Sequence, residues 1–201
     1  MTNLIKISAI LSLFLSGCSA EKANKPTIVD SSTQLSEAHY RSAIVFEDAP
    51  NGTHARFSTE KAVPETLTPP EEYRSDFLIA AVDKKYGNTG FVLTHLDATK
   101  SWRSASTVSF ETPEGTFSKT APVKGNKNEC NGSGCWHLES VSVVIPESLM
   151  RAYALKYPKE QSGSWKFKIS PNTDGQIPYA EIAGLLARVD EYRKSLGISK
   201  Q

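Results

Sequence analysis

Two histidine–carboxylate pairs carry the residue types and the spacing that suit acid–base chemistry. His95 and Asp97 lie two positions apart, and so do His137 and Glu139. Each pair falls in a stretch that predicts a β-strand, so both of its members share one face of that strand. A carboxylate beside a histidine can orient the imidazole as a general base. The sequence ties no serine or cysteine nucleophile to either pair, and the alternative interpretation is that these are polar strand residues facing solvent.

A cysteine-bearing segment offers a second kind of chemistry. Cys130, Cys135 and His137 are three potential zinc ligands, and His95 is a fourth, because thiolate and imidazole both suit zinc. Their spacing matches no established zinc motif. The sequence also lacks a nucleophile elbow, a zinc-protease helix, a phosphate-binding loop and a dinucleotide fingerprint. We therefore expect no resident metal and no cofactor.

The first half of the chain predicts strands that would position the histidines. An Asn-Gly turn at residues 51–52 joins two short apolar stretches and predicts a β-hairpin. Residues 77–82 are continuously apolar, as in a central strand buried on both faces, and residues 91–96 return beside them. A long polar loop is predicted over residues 124–134. Further strands are predicted at residues 106–111, 116–123 and 136–145.

The second half adds two helices, each introduced by an Ile-Pro pair. Pro146 begins a helix predicted over residues 147–157, and Pro178 begins a terminal helix with apolar residues at helical spacing. Between them, residues 165–169 alternate aromatic or aliphatic side chains with lysines, which predicts a strand with one buried face. Residues 171–175 predict a turn. The fold class expected is α+β, a mostly antiparallel sheet with two packed helices, the last of them C-terminal.

The charge of the chain argues against a nucleic-acid partner. There are 23 basic and 22 acidic residues, for a formal net charge of +1. No basic block occurs, although phosphate binding requires clustered lysine and arginine. The near balance of acidic and basic residues and the lack of a basic block also give no support to an electrostatic attachment to membranes.

The N-terminus has the organisation of a secretory signal. Lys6 precedes an apolar run over residues 7–15, which is shorter than the roughly 20 residues that a membrane-spanning helix needs. Small residues follow, and the run ends in Leu15-Ser16-Gly17-Cys18. This tetrapeptide resembles the lipobox of bacterial lipoproteins at all four positions.

The lipobox resemblance implies a compartment and an anchor. Signal peptidase II would cut between Gly17 and Cys18, and Cys18 would carry a diacylglyceryl thioether and an acylated amine. Several acyl chains together hold a protein on a bilayer, whereas one chain binds only marginally. Ser19 stands where an aspartate tends to retain Gram-negative lipoproteins in the inner membrane. The resemblance therefore implies an outer-membrane lipoprotein that faces the periplasm.

The lipobox also simplifies the cysteine count and the domain organisation. Of three cysteines, lipidation of Cys18 leaves Cys130 and Cys135, and a disulfide is the usual state of such a pair in an exported protein. The polar residues after the cleavage site predict a flexible tether. The predicted parts are a signal peptide at 1–17, the lipidated cysteine and tether at 18–36, and one domain at 37–201.

The folded part points to a class of protein without naming its task. The segment from Cys130 to Gly197 resembles a group of uncharacterised small bacterial envelope lipoproteins, which implies no known activity. Trp102, followed by Arg103, is either a sugar- or partner-binding platform or the edge of a core. We expect a binding or structural role, with an envelope protein or a cell-wall component as partner, rather than an enzyme. The alternatives are an envelope hydrolase that uses a histidine–carboxylate pair and a metal-binding lipoprotein.

Overall fold

The fold is α+β, as the sequence predicts, and it is seen here in a computed structural model of the 201-residue chain. The predicted signal peptide, Cys18 and all but the last two residues of the predicted tether lie outside the described residues. The structure describes residues 35–60, 73–99, 101–102, 107–112, 115–121, 123–131, 134–170 and 173–198.

Within the described residues, three helices and ten strands follow one another along the chain. In order they are α1 (Glu37–Ala43), β1 (Val45–Asp48), β2 (His54–Ser58), β3 (Tyr73–Asp83), β4 (Thr89–Thr99), β5 (Thr107–Thr112), β6 (Gly115–Thr120), β7 (Val123–Asn131), β8 (Gly134–Ile145), α2 (Glu147–Ala154), β9 (Ser164–Ile169), β10 (Thr173–Pro178) and α3 (Tyr179–Ser195).

The strands form two antiparallel sheets. The large sheet has six strands in the order β1-β2-β3-β4-β8-β7, and the small sheet has four in the order β10-β9-β5-β6. The predicted hairpin is confirmed as β1 and β2, and the continuously apolar residues 77–82 lie in β3, an interior strand. The sequence patterns do not predict that the strands divide between two sheets, with β5, β6, β9 and β10 pairing separately from the others.

The two sheets and two of the helices share one hydrophobic core. On the inner face of the large sheet, Leu78, Leu93 and Val143 are register partners on β3, β4 and β8. The small sheet contributes Trp165 and Phe167, which alternate with exposed lysines as predicted. Together with α2 and α3 these residues form one buried cluster. Each large apolar side chain buried there contributes about 1.5–3 kcal/mol to folding.

The proline-started helices are confirmed, with different ends. Pro146 and Pro178 occupy the N-cap positions of α2 and α3 with extended backbone angles. Helix α2 ends at Ala154, three residues earlier than predicted. Helix α3 ends before Gly197, whose φ of 72° lets the Ile198 amide return to the carbonyl of Arg193. No helix among the described residues is long and apolar enough to cross a membrane.

Helix α1 is the one helix of the described residues that the sequence patterns miss. The Ser36 hydroxyl caps its N-terminus by accepting from the His39 amide at 3.2 Å. The helix packs on α3 at Gly184, where a Cβ would lie 2.9 Å from the Glu37 carbonyl oxygen. With seven residues, α1 is too short for an apolar stripe to stand out, and it depends on this contact for stability.

Two predictions of irregular structure are wrong. The polar loop expected over 124–134 consists mostly of β7 and the start of β8, paired from Val123–Val141 to Asn131–Gly134. Its register shifts between Lys124 and Lys127, which disrupts the alternation that identifies a strand. The turn expected at 171–175 runs into β10. Both strands lie at a sheet edge, where polar residues, Gly and Pro are tolerated.

An ion-pair cluster joins the two long helices to the β3–β4 turn. Arg193 is buried, donates Nε to the Gly87 carbonyl at 2.8 Å, and binds both carboxylate oxygens of Glu147 at 2.8 and 2.9 Å. Arg151 donates to Glu147 as well and to Asp190 on α3. These hydrogen bonds, led by those from Arg193, hold the pKa of Glu147 down at about 2. The cluster fixes α2 against α3.

Candidate functional site

A groove of about 930 Å³ opens where β3 of the large sheet meets the outer face of the small sheet. Arg74 and Asp76 of β3 line one side of it. Polar side chains from all four strands of the small sheet line the remainder. They are Ser109, Glu111, Thr116, Lys166, Lys168, Asp174 and Gln176. Binding sites for small molecules typically span about 300–1,000 Å³, so the groove is large enough for a ligand.

Several groove side chains are available to a ligand. Lys166 and Lys168 point outward from β9, because their neighbours Trp165 and Phe167 point into the core. Neither lysine makes an ion pair within the described residues, and the same is true of Asp174, the register partner of Lys168. By contrast, Glu111 accepts a hydrogen bond from Thr116 at 2.7 Å.

Asp76 forms the junction between the two sheets. Its Oδ1 accepts the Nδ1–H of His95, the residue opposite it on β4, at 2.7 Å. Its Oδ2 accepts the backbone N–H of Gln176 on β10 at 3.1 Å. The side chain is only 13% exposed. Both carboxylate oxygens are therefore used, one within the large sheet and one across to the small sheet.

Gly175 permits this approach of β10 to β3. A Cβ at position 175 would collide with the Phe167 ring and would lie 2.9 Å from Asp76 Oδ2. Any larger residue would therefore push β10 away from the carboxylate. The hydrogen bond from Gln176 also occupies an N–H group on the outer edge of the small sheet, which would otherwise be open to another strand.

A second acid, Glu181, is buried near Asp76. It lies in the first turn of α3, is 1% exposed, and accepts from the Thr59 hydroxyl at 2.5 Å. Burial raises the pKa of Glu181 to about 8, the hydrogen bond from Thr59 opposes that rise, and the charge of Asp76 adds to it. The carboxyl group is therefore largely neutral at pH 7.

The hydrogen bonds around Thr59 fit a protonated Glu181. The Thr59 hydroxyl oxygen accepts from the Leu78 amide at 2.9 Å and lies 3.3 Å from the Leu78 carbonyl. One hydroxyl proton cannot serve that carbonyl and Glu181 Oε1 fully at once. If the carboxyl group of Glu181 donates to Thr59, the hydroxyl is free to donate to Leu78. Glu181 Oε2 has no hydrogen-bond partner.

The predicted histidine–carboxylate pairs lie on the buried face of the large sheet, and the solvent-facing interpretation is wrong. His95 and Asp97 share a face, as do His137 and Glu139, but His95, Asp97 and Glu139 are all at most 5% exposed. The carboxylate that binds His95 is Asp76 and not Asp97. Asp97 lies opposite Glu139, and its Oδ1 is 3.7 Å from Arg74 Nε.

Trp102 lies against one of the histidines. Its ring centroid is 4.4 Å from that of His137, at an interplanar angle of 38°. The indole is 41% exposed, and His137 is partly buried. The side chains of His95, Asp97, His137 and Glu139 form a polar row on one face of β4 and β8, and Trp102 covers the end of this row. It does not line the groove, and Arg103 lies outside the described residues.

The proposed zinc ligands are not brought together. Cys130 and Cys135 are register partners on β7 and β8, but His95 lies opposite Val141, six residues along β8 from Cys135. Six strand residues span about 20 Å. His137 lies two residues from Cys135 and therefore on the same face of β8. It remains near the cysteines, whereas His95 does not. Within the described residues, no three His, Cys, Asp or Glu side chains are placed to hold a metal ion.

Three residues at the junction escape sequence reasoning. Asp76 begins a long apolar run, and a carboxylate there is a usable signal, because a charge in a buried strand requires a partner. Gln176 contributes only its backbone. Glu181 sits among the apolar positions of α3, and that placement is the signal that it is buried.

The chain matches no protein-family profile, no curated protein and no solved structure.

Replacing Glu181 by glutamine should remove a pH dependence of stability. Because the native pKa is about 8 and the ordinary value 4.5, the native state holds the extra proton between these limits, and native stability falls as pH rises through them. The free energy of unfolding of Glu181→Gln, relative to that of the native chain, should therefore rise by on the order of 2–4 kcal/mol between pH 5 and pH 8.5. Urea unfolding at the two pH values measures this.

The exposed Glu160→Gln is the matched control and should show no such gain. An equal difference between Glu181→Gln and the native chain at both pH values would contradict the assignment of a neutral buried carboxyl group.

Proposed function

We propose that this chain is a lipid-anchored envelope protein, held in the outer membrane through Cys18, whose periplasmic domain binds a ligand in the groove. The anchor rests on Leu15-Ser16-Gly17-Cys18. The observation that carries the binding role is the groove itself. It is wide enough for a small molecule or a short segment of polymer, and Lys166 and Lys168 line it without ion-pair partners in the described residues.

The chemistry of the lining favours a polar ligand of the envelope. Ammonium, carboxylate, amide and hydroxyl groups alternate across the small sheet, whereas Phe110 and Phe167 are at most 3% exposed and present little apolar surface. A cell-wall component, rich in carboxylate and hydroxyl groups, or a polar segment of an envelope protein fits this lining. A disulfide between the register partners Cys130 and Cys135 would brace the β7–β8 hairpin in the oxidising periplasm.

A hydrolase is the second candidate, because Asp76 and His95 form a histidine–carboxylate pair at the groove. The pair is less suited to catalysis than to structure. His95 is 2% exposed, and within the described residues no serine, threonine or cysteine side chain hydrogen-bonds to its ring. A general base must reach the proton that it removes.

The anchor is tested by Cys18→Ser. Loss of the thiol removes the only group at that position able to form a thioether, so mass spectrometry should show loss of the acyl chains and fractionation should show release from membranes. Cys135→Ser leaves the lipobox intact and should remain lipidated. A Cys18→Ser chain that stays fully acylated would refute the anchor.

The groove is tested by sedimentation of the detergent-solubilised full chain with purified peptidoglycan sacculi. The double variant Lys166→Gln, Lys168→Gln should weaken binding by about ten-fold or more, because a charge-assisted hydrogen bond contributes about 1.5–3 kcal/mol. The control is Lys159→Gln with Lys194→Gln, two exposed lysines outside the groove. No sedimentation of the native chain would exclude the cell wall as ligand, and unchanged binding by the groove variant would exclude the groove.

A further inference from the structure

The two sheets have four edge strands, and three of them have features that discourage pairing with another chain. Strand β1 is four residues long and carries Glu47 and Asp48. Strand β7 has a register shift between Lys124 and Lys127. Strand β10 has its Gln176 N–H bound by Asp76. Short length, charge, bulges and side-chain cover are the usual means by which proteins block sheet edges.

Within the described residues, strand β6 has neither a register shift nor a side-chain cover, and it carries a single charged residue. Its six residues run in regular register with β5, from Thr107–Thr120 to Thr112–Gly115. Five of the six are exposed, and Lys119 is the only charged one. Threonine and phenylalanine favour strands. One side of every antiparallel edge strand carries N–H and C=O groups that need hydrogen-bond partners, and here they face outward.

The composition of β6 matches a second β6. The β5–β6 hairpin already pairs like with like, since Phe117 faces Phe110, Ser118 faces Ser109, and Thr120 faces Thr107. The Phe110 and Phe117 rings stack with centroids 4.9 Å apart, and the Ser109 and Ser118 hydroxyls lie 2.9 Å apart. The outer edge of β6 presents this pattern again, with its aromatic residue only partly buried.

We propose that the chain self-associates through antiparallel pairing of β6 with β6 of a second copy about a two-fold axis. The small sheets of the two copies would then form one continuous sheet, with Phe117 extending the aromatic row of each core. Such an interface is isologous, because the same strand serves both partners. Registers that place Lys119 directly opposite its copy are excluded by like charge.

Cysteine cross-linking in whole cells tests the pairing without depending on the anchor or on the groove ligand. Thr116→Cys, Phe117→Cys, Ser118→Cys and Thr120→Cys are introduced singly into the full chain, and cells are treated with a mild oxidant. Antiparallel pairing brings facing Cα atoms to about 4.5–5.5 Å, within the range that a disulfide requires. Because only the residue on the two-fold axis faces its own copy, we expect a homodimer at one of these positions, at about ten-fold the level given by the unsubstituted chain.

Ser109→Cys is the matched control, because Ser109 is equally hydroxylic and lies on the same face, one strand further in. Across the proposed interface its copy would be about 14 Å away, three strand spacings, too far for a disulfide. Homodimers that form equally at position 109, homodimers at no β6 position, or cross-links only to a different protein would each overturn the proposal.

Discussion

The hydrogen-bonded carboxylate of Asp76 is the constraint on which the arrangement of the two sheets depends. One oxygen holds His95 within the large sheet, and the other holds the backbone of Gln176 at the edge of the small sheet. A buried carboxylate without such donors would cost several kcal/mol, so the approach of β10 and the burial of His95 are linked to the same group. The groove exists because β3 and the small sheet are fixed at this junction.

Glu181 and Asp76 show how two nearby carboxyl groups acquire different roles. Asp76 receives N–H groups from both sides, whereas Glu181 faces a single hydroxyl in an apolar surrounding. Burial therefore keeps Glu181 largely neutral, with its pKa raised to about 8. A neutral acid beside a fully hydrogen-bonded one avoids two adjacent buried charges. Both acids thus brace the interface between β2, β3, β10 and α3.

Sequence patterns predict the strands and helices whose burial is periodic. They do not predict the strands β7 and β10, which pair at a sheet edge. The alternation from Trp165 to Ile169 reflects one buried face, and the predicted strand is confirmed as β9. The apolar run at 77–82 is confirmed as part of the interior strand β3, but burial on both faces is incomplete, because Ile79 and Ala81 are only partly buried. Strands β7 and β10 are edge strands without that signal. The junction itself was beyond prediction, because Asp76 and Gln176 are 100 residues apart and meet only when two separately paired sheets pack together.

The strength of the Asp76 junction is the most direct test of this account. Asp76→Ala leaves the His95 ring and the Gln176 amide without an acceptor, and should lower the free energy of unfolding by about 2–4 kcal/mol. Asp174→Ala, an exposed aspartate in the same groove, should change it by less than about 0.5 kcal/mol. Urea unfolding of the two variants at neutral pH decides the matter. Equal stabilities of Asp76→Ala and Asp174→Ala would contradict the claim that this carboxylate joins the sheets.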